Sequence, residues 1–194
     1  MNGLLPDHEI LRMGESLIRP FDPSRVQPAS YDLTLHPKLL RVRQDRRLSG
    51  GVFPSPVDLR VSDPADLFTE TWMGEEGYEL APHECVLGST AEVVSCGADL
   101  AARVEGKSSL GRLFLTVHVT AGWIDPGFSG QVTLEIVNLA PWSVMLWPKM
   151  PIGQVNFMRM VSPAEHPYGS AKLASHYQGQ EGPTAPVGRR GPSC

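Results

Sequence analysis

The chain has 194 residues with 17 Lys+Arg against 21 Asp+Glu, a net charge of −4. That length predicts one domain, two at most, with enough chain to bury a core. A hydrophobic share of 41% with 20% charged residues excludes a disordered chain, and the mild acidity argues against a dedicated nucleic-acid binder while leaving room for a local basic pocket around one phosphorylated ligand. Cys85, Cys96 and Cys194 give neither a disulfide framework nor a CxxC pair. The opening MNGLLPDHEILRMGES lacks the basic and apolar regions of a signal peptide, and no run reaches the ~18 apolar residues that span a membrane. The expectation is a soluble cytoplasmic protein with no membrane or nucleic-acid partner.

In chain order, Asp7 is placed to cap a short helix whose apolar stripe is Ile10, Leu11 and Leu17, weakened by Gly14. Beyond it the 19 Gly and 18 Pro are spread along the chain and favour short strands joined by turns. Strands are predicted over Ser30–Leu35, Leu39–Val42, Val57–Val61, Glu84–Leu87, Ala91–Ser95, Leu113–Thr120, Gln131–Asn138, Ser143–Trp147 and Ile152–Val161. Residues 44–56 and 62–77 read as surface loops. In Gln131–Ile136, Val132, Leu134 and Ile136 alternate with Gln131, Thr133 and Glu135, the period-2 mark of a half-buried strand. The pattern predicts a mostly β single domain over 1–164, a sandwich, jelly roll or barrel, followed by a Gly/Pro-rich tail over 165–194 that is mobile unless something orders it.

Three segments carry candidate chemistry. Glu105–Arg112 gathers Lys107, Ser108, Ser109 and Arg112 around flexible glycines, a composition that wraps an anion or simply makes a basic turn. Gly106-Lys107-Ser108 looks like the end of a P-loop. The loop's first glycine position holds Ala101, and the residues after Arg112 alternate like a strand, so the P-loop is rejected. In Thr120–Gly130, Asp125-Pro126-Gly127 is a turn signal that either is only a turn or holds a carboxylate beside Phe128, an aromatic on which a sugar packs. Glu135, within an apolar strand, is either on the solvated face or, if its face lines a pocket, a proton carrier. The chain lacks the H-x-E and P-C-x-x-C of zinc deaminases and has no G-x-G-x-x-G loop. His36, His83, His118, His166 and His176 show no metal-ligand spacing.

Taken together, Lys107–Arg112, Thr120–Phe128 and Leu134-Glu135, with Pro28–Leu33 upstream and Tyr177–Thr184 in the tail, resemble the dCTP deaminase branch of the dUTPase-like superfamily. The resemblance implies a distorted jelly roll or β-barrel, a homotrimer with active sites between subunits, and a C-terminal tail that acts as a lid. It implies zinc-free deamination of dCTP. Glu135 takes the proton of the attacking water, Ser108 and Arg112 hold the water and stabilise the site, and Asp125 holds the 3′-OH and positions a second water at the α-phosphate. Lys107, Ser108, Ser109, Tyr168 and Gln180 are implied as phosphate contacts, with Thr120, Ala121, Trp123, Gln154 and His176 as further substrate contacts and Phe128 under the sugar. Mg²⁺ is implied as a companion of the triphosphate, and dTTP as an inhibitor. Gly122-Trp123 after Thr120-Ala121, together with the tail motif, looks like the bifunctional members that proceed to dUMP and diphosphate. The alternatives are a deaminase that stops at dUTP, a plain dUTPase, or a nucleotide-binding regulator. One departure stands out: relatives carry Lys where this chain has His176, and Lys172, Arg189 or Arg190 are the candidates to compensate.

Overall fold

The computed structural model describes residues 3–43, 47–48, 51–52, 57–58 and 63–187. Helix α1 is Asp7–Met13. No side chain caps it. Asp7 is its first residue, and its carboxylate accepts the His8 amide at 2.7 Å, so it acts on the helix dipole from inside the first turn. Only Ile10 of the helix is buried; Leu11 faces solvent and Leu17 is buried beyond the helix end, so the expected three-residue stripe reduces to one residue. Gly14 takes φ +45° and terminates the helix.

The strands that follow are β1 (Ser30–Thr34), β2 (Lys38–Val42), β3 (Phe68–Trp72), β4 (Cys85–Ser95) and β5 (Leu100–Gly106). After the single helical turn α2 (Ser108–Gly111) come β6 (Ser129–Asn138) and β7 (Pro151–Arg159). One sheet runs β5-β7-β1, extended by Trp123–Ile124 beside β5 and Val26–Gln27 beside β1. The other runs β6-β4-β2-β3, extended by Leu115–Thr116 beside β6. Val144–Leu146 pairs with Tyr78–Leu80 in a small third sheet. The core between the two large sheets holds Tyr31, Leu33, Leu39, Ile136, Val155 and Phe157, all fully buried. Antiparallel pairing with one buried face explains the alternation along β6, where Leu134 and Ile136 are buried and Glu135 is not.

Several expected boundaries shift. Glu84–Leu87 and Ala91–Ser95 are one strand, β4, with a bulge between Ser89 and Val93. Leu113–Thr120 is not a strand: only Leu115–Thr116 pairs, because α2 and a turn at Phe114 (φ +61°) consume the residues before it. A helical turn does therefore follow Lys107. The P-loop remains excluded, since Ala101 is a buried interior residue of β5. Within 62–77, the expected loop contains β3, the edge strand of its sheet. Of 44–56, Arg47–Leu48 pairs with Gly51–Val52 and the rest lies outside the described residues. Val57 and Asp58 are not in a strand, and 59–61 lie outside the described residues.

The bulge in β4 is built on a buried carboxylate. Glu92, 2% exposed, accepts from Arg25 Nη1 at 2.6 Å and from the Thr34 hydroxyl and amide at 2.6 and 2.9 Å. Replacing Glu92 by Ala leaves Arg25 and the buried Thr34 groups without their acceptor, so unfolding by urea should show a loss of about 3 kcal/mol. A loss below about 0.5 kcal/mol would show that the cluster adds nothing net.

Candidate active site

Loop 120–128, strand β6 and the C-terminal tail converge on one cavity of about 420 Å³. The loop supplies Ala121, Trp123, Asp125 and Phe128, and β6 supplies Thr133 and Glu135. Tyr168, Tyr177, Gln180, Thr184 and Pro186 close it from the tail side. The sequence builds this locally. Alternation on β6 turns Glu135 away from the core while its neighbours Leu134 and Ile136 fill it. Asp125-Pro126-Gly127 makes the turn, with the Phe128 amide donating to the Asp125 carbonyl at 3.2 Å. Gly127 sits at φ +93°, and a Cβ there would lie 2.7 Å from the Tyr168 carbonyl oxygen, so only glycine lets the tail close down on this turn.

Glu135 is partly buried, and its Oε2 accepts the Val119 amide at 3.1 Å. That bond fixes the carboxylate against the loop and leaves Oε1 to act on a ligand. Asp125 is exposed at the cavity edge and accepts from Trp123 Nε1 at 3.2 Å. Phe128 is buried, with Tyr168 edge-on to it at a ring separation of 5.7 Å. A flat wall under a rigid carboxylate is suited to a sugar ring. Beneath the loop, burial first and the Asp125 charge second push the Cys96 thiol up to about 12. Cys96 is therefore a neutral packing group and no nucleophile.

The basic cluster lies elsewhere on the chain. Lys107, Ser108, Ser109 and Gln154 line a separate groove of about 400 Å³ with Ser30 and Asp32. There Lys107 Nζ is 2.6 Å from Asp32, and the Ser30 hydroxyl donates to Gln154 Oε1 at 3.1 Å. Arg112 is exposed on the turn after α2. The expectation of Arg112 beside Glu135 does not hold within one chain: neither Ser108 nor Arg112 lines the Glu135 cavity, because α2 leaves β5 from the other sheet. Thr120 is exposed outside the cavity lining. His176 is exposed too, its ring edge-on to Tyr177, and Lys172 Nζ is taken up by His166 Nε2 at 2.5 Å. Arg189, Arg190 and Cys194 lie outside the described residues.

Thr133, Tyr177 and Thr184 line the cavity and were missed as site residues. Thr133 was findable, since it shares the Glu135 face at a spacing of two. Leu87, Ile124, Val132 and Pro186 carry no signal beyond hydrophobicity. Over residues 165–187 the tail is tied to the loop: Gln178 Nε2 donates to Gly127 O at 3.0 Å, its Oε1 accepts the Ser129 amide at 3.3 Å, and the Tyr168 hydroxyl accepts the Tyr177 amide at 3.0 Å.

A two-sheet jelly roll with a carboxylate strand and an aromatic shelf folded under its own tail defines the class of fold. The 2′-deoxycytidine 5′-triphosphate deaminase of Agrobacterium tumefaciens shares it, with a TM-score of 0.64 at 24% identity over 82% of this chain and 48% of that chain. This chain thus spans about half of that longer one. The family model described as dCTP deaminase-like matches residues 4–160. Two relatives named "dCTP deaminase, dUMP-forming" are similar over most of both chains. The Streptomyces coelicolor protein is 52% identical over 188 residues (94% of this chain, 93% of that one). The Acidothermus cellulolyticus protein is 50% identical over 184 residues (93% of each). The chain belongs to the dCTP deaminase family.

Proposed function

We propose that this protein converts dCTP to dUMP in two hydrolytic steps at one closed site, releasing ammonia and then diphosphate. The observation that carries this reading is that Glu135, Asp125 and Phe128 line one cavity under the tail. In the first step, Glu135 takes a proton from a water that adds to cytosine C4. It then delivers that proton to the departing amino group, the remaining hydroxyl proton passes to ring N3, and ammonia leaves as the uracil carbonyl forms. In the second, Asp125 orients a water toward the α-phosphate, the bond to the β-phosphate breaks, and diphosphate leaves. Phe128 against the sugar favours a deoxyribonucleotide, since a flat ring packed there leaves no space for a 2′-hydroxyl. The relatives named dUMP-forming support the two-step outcome.

Among the described residues, no cluster of three or more His, Cys, Asp or Glu side chains is placed to hold a metal. The cavity offers two single carboxylates, so Mg²⁺ fits as a hard cation held by the triphosphate oxygens, where it offsets their charge. Lys107 and Ser109 are assigned to the phosphates, with Gln154, Tyr168, Gln180 and His176 as further contacts. Thr120, Ala121 and Trp123 are assigned as further substrate contacts. Feedback inhibition by dTTP, which has the same sugar and phosphates, belongs to this reading. Among the described residues no helix is long and apolar enough to cross a membrane; a cytoplasmic location is part of the proposal.

The separation of Ser108 and Arg112 from Glu135 supports a homotrimer in which a neighbouring copy supplies them. Leu113, Phe114, Leu139 and Trp142, close to Arg112 in sequence or in contact with this turn, are large apolar side chains left exposed. Mixing inactive Glu135→Gln and Arg112→Ala subunits should restore activity at about a quarter of the sites, as a heterologous ring requires. No restoration after verified subunit exchange would place both groups in one chain's site. The primary test is product analysis. Incubated with dCTP and Mg²⁺, the protein should form dUMP, diphosphate and ammonia with no pool of dUTP. Accumulating dUTP would mean a deaminase only, and turnover of dUTP without dCTP would mean a dUTPase.

A further inference from the structure

We propose that Gln131 is the clasp that holds the tail shut, and that it thereby keeps the dUTP formed in the first step from escaping before the second. The inference rests on the two-step reading above. Gln131 lies on β6 but outside the catalytic cavity; it borders a separate groove with His36, Lys38, Trp72 and Glu181. Four hydrogen bonds converge on this one residue. Its amide donates to Gln180 O at 3.0 Å, and its carbonyl accepts from Gln180 Nε2. Its side-chain Oε1 accepts the Gly182 amide, and its Nε2 donates to Ala91 O at 2.9 Å.

The fold explains why this place is free to do so. Leu115–Thr116 covers the outer edge of β6 only at Val137 and Asn138, so residues 129–133 present an open edge. The tail runs alongside it in the same direction: Gly179 donates to Ser129 O at 2.8 Å, and Thr184 donates to Thr133 Oγ1 at 3.1 Å. On the inner side, the β4 bulge withdraws Ala91 from the ladder, and the side-chain Nε2 of Gln131 donates to its carbonyl. One side chain thus bridges the bulge and the tail. Gly182 and Pro183 are buried there, so the tail bond is shielded from water. The anchored stretch carries Gln180 and Thr184, two of the groups that close the cavity. Gln131 touches no reacting atom in this scheme; it is a positioning residue.

The test compares the full-length protein with Gln131→Met, which keeps the size and removes both side-chain bonds. Exchange of the Gly182 amide, read by mass spectrometry or NMR, should speed by about tenfold or more. The KM for dCTP should rise by at least about threefold while the deamination kcat stays within about twofold, since only closure is loosened. Free dUTP should become a measurable product by anion-exchange chromatography during turnover of dCTP. Gln131→Glu keeps the Gly182 acceptor, loses the Ala91 donor and should fall between the two; it also carries the test if the Met variant does not fold. Unchanged Gly182 exchange with unchanged KM would overturn the clasp. Release of dUTP by the unaltered protein would overturn the two-step reading instead, and the exchange and KM measurements would still decide the clasp.

Discussion

Glu135→Gln should retain nucleotide binding and lose deamination by at least a factor of about one hundred. The substitution keeps the shape of the side chain and still offers an oxygen to the Val119 amide, the hydrogen bond that fixes the carboxylate. What it removes is the ability to accept a proton from water and return it to the leaving amine. General acid–base help of this kind is typically worth about 10²- to 10⁴-fold. Because Glu135 faces the cavity while Leu134 and Ile136 fill the core, the folded structure should be unaffected. Calorimetric titration with dCTP checks binding, and an ammonia assay checks turnover. Deamination at the unaltered rate would remove Glu135 from the chemistry and leave it as a loop anchor.

Asp125→Asn should separate the two steps. Asn keeps an oxygen for Trp123 Nε1 and stays compatible with the Pro126-Gly127 turn, so the loop should hold its shape. It cannot draw a water toward phosphorus as a carboxylate does. Triphosphate hydrolysis should fall by about two to three orders of magnitude while deamination continues, and dUTP should accumulate with ammonia. Anion-exchange chromatography of the nucleotides reads this directly. Continued formation of dUMP at the unaltered rate would reduce Asp125 to a turn and sugar-binding residue. The Asp125 and Gln131 variants both release dUTP, yet they are distinguishable. The first should fail to hydrolyse added dUTP at saturation, and the second should still do so with a raised KM.

Much of the architecture was legible because its cause is local. The alternation over Gln131–Ile136 predicts a strand with Glu135 off the core, and β6 is that strand. The Asp125-Pro126-Gly127 turn is likewise written in residue types whose backbone preferences act over a few bonds. The failures share a different cause. Leu113-Phe114 alternates as a strand does, but both are exposed beyond a helical turn, and among the described residues no strand pairs with them. Asp7 has the composition of a cap, yet the chain enters the helix at Pro6 instead. A strand exists only where another strand presents its edge, and that depends on residues far away in the chain.

The sequence by itself determined the family, the mostly β class, and the identity of the carboxylates and aromatic that line the cavity, since these depend on short motifs and on two-residue periodicity. Only the tertiary structure decided which of them meet. It brought Glu135, Asp125 and Phe128 together, set Ser108 in another groove and left Arg112 exposed on the turn after α2, because α2 leaves a strand of the opposite sheet. It also set tail residues Gly179–Thr184 against β6, where glycines and prolines taken alone suggest a loose end. The open edge of β6 and the bulge facing it leave backbone groups unpaired, and such groups are costly to bury without a partner. The tail from Gly179 to Thr184 supplies those partners, and Gln131 stands at the centre of them.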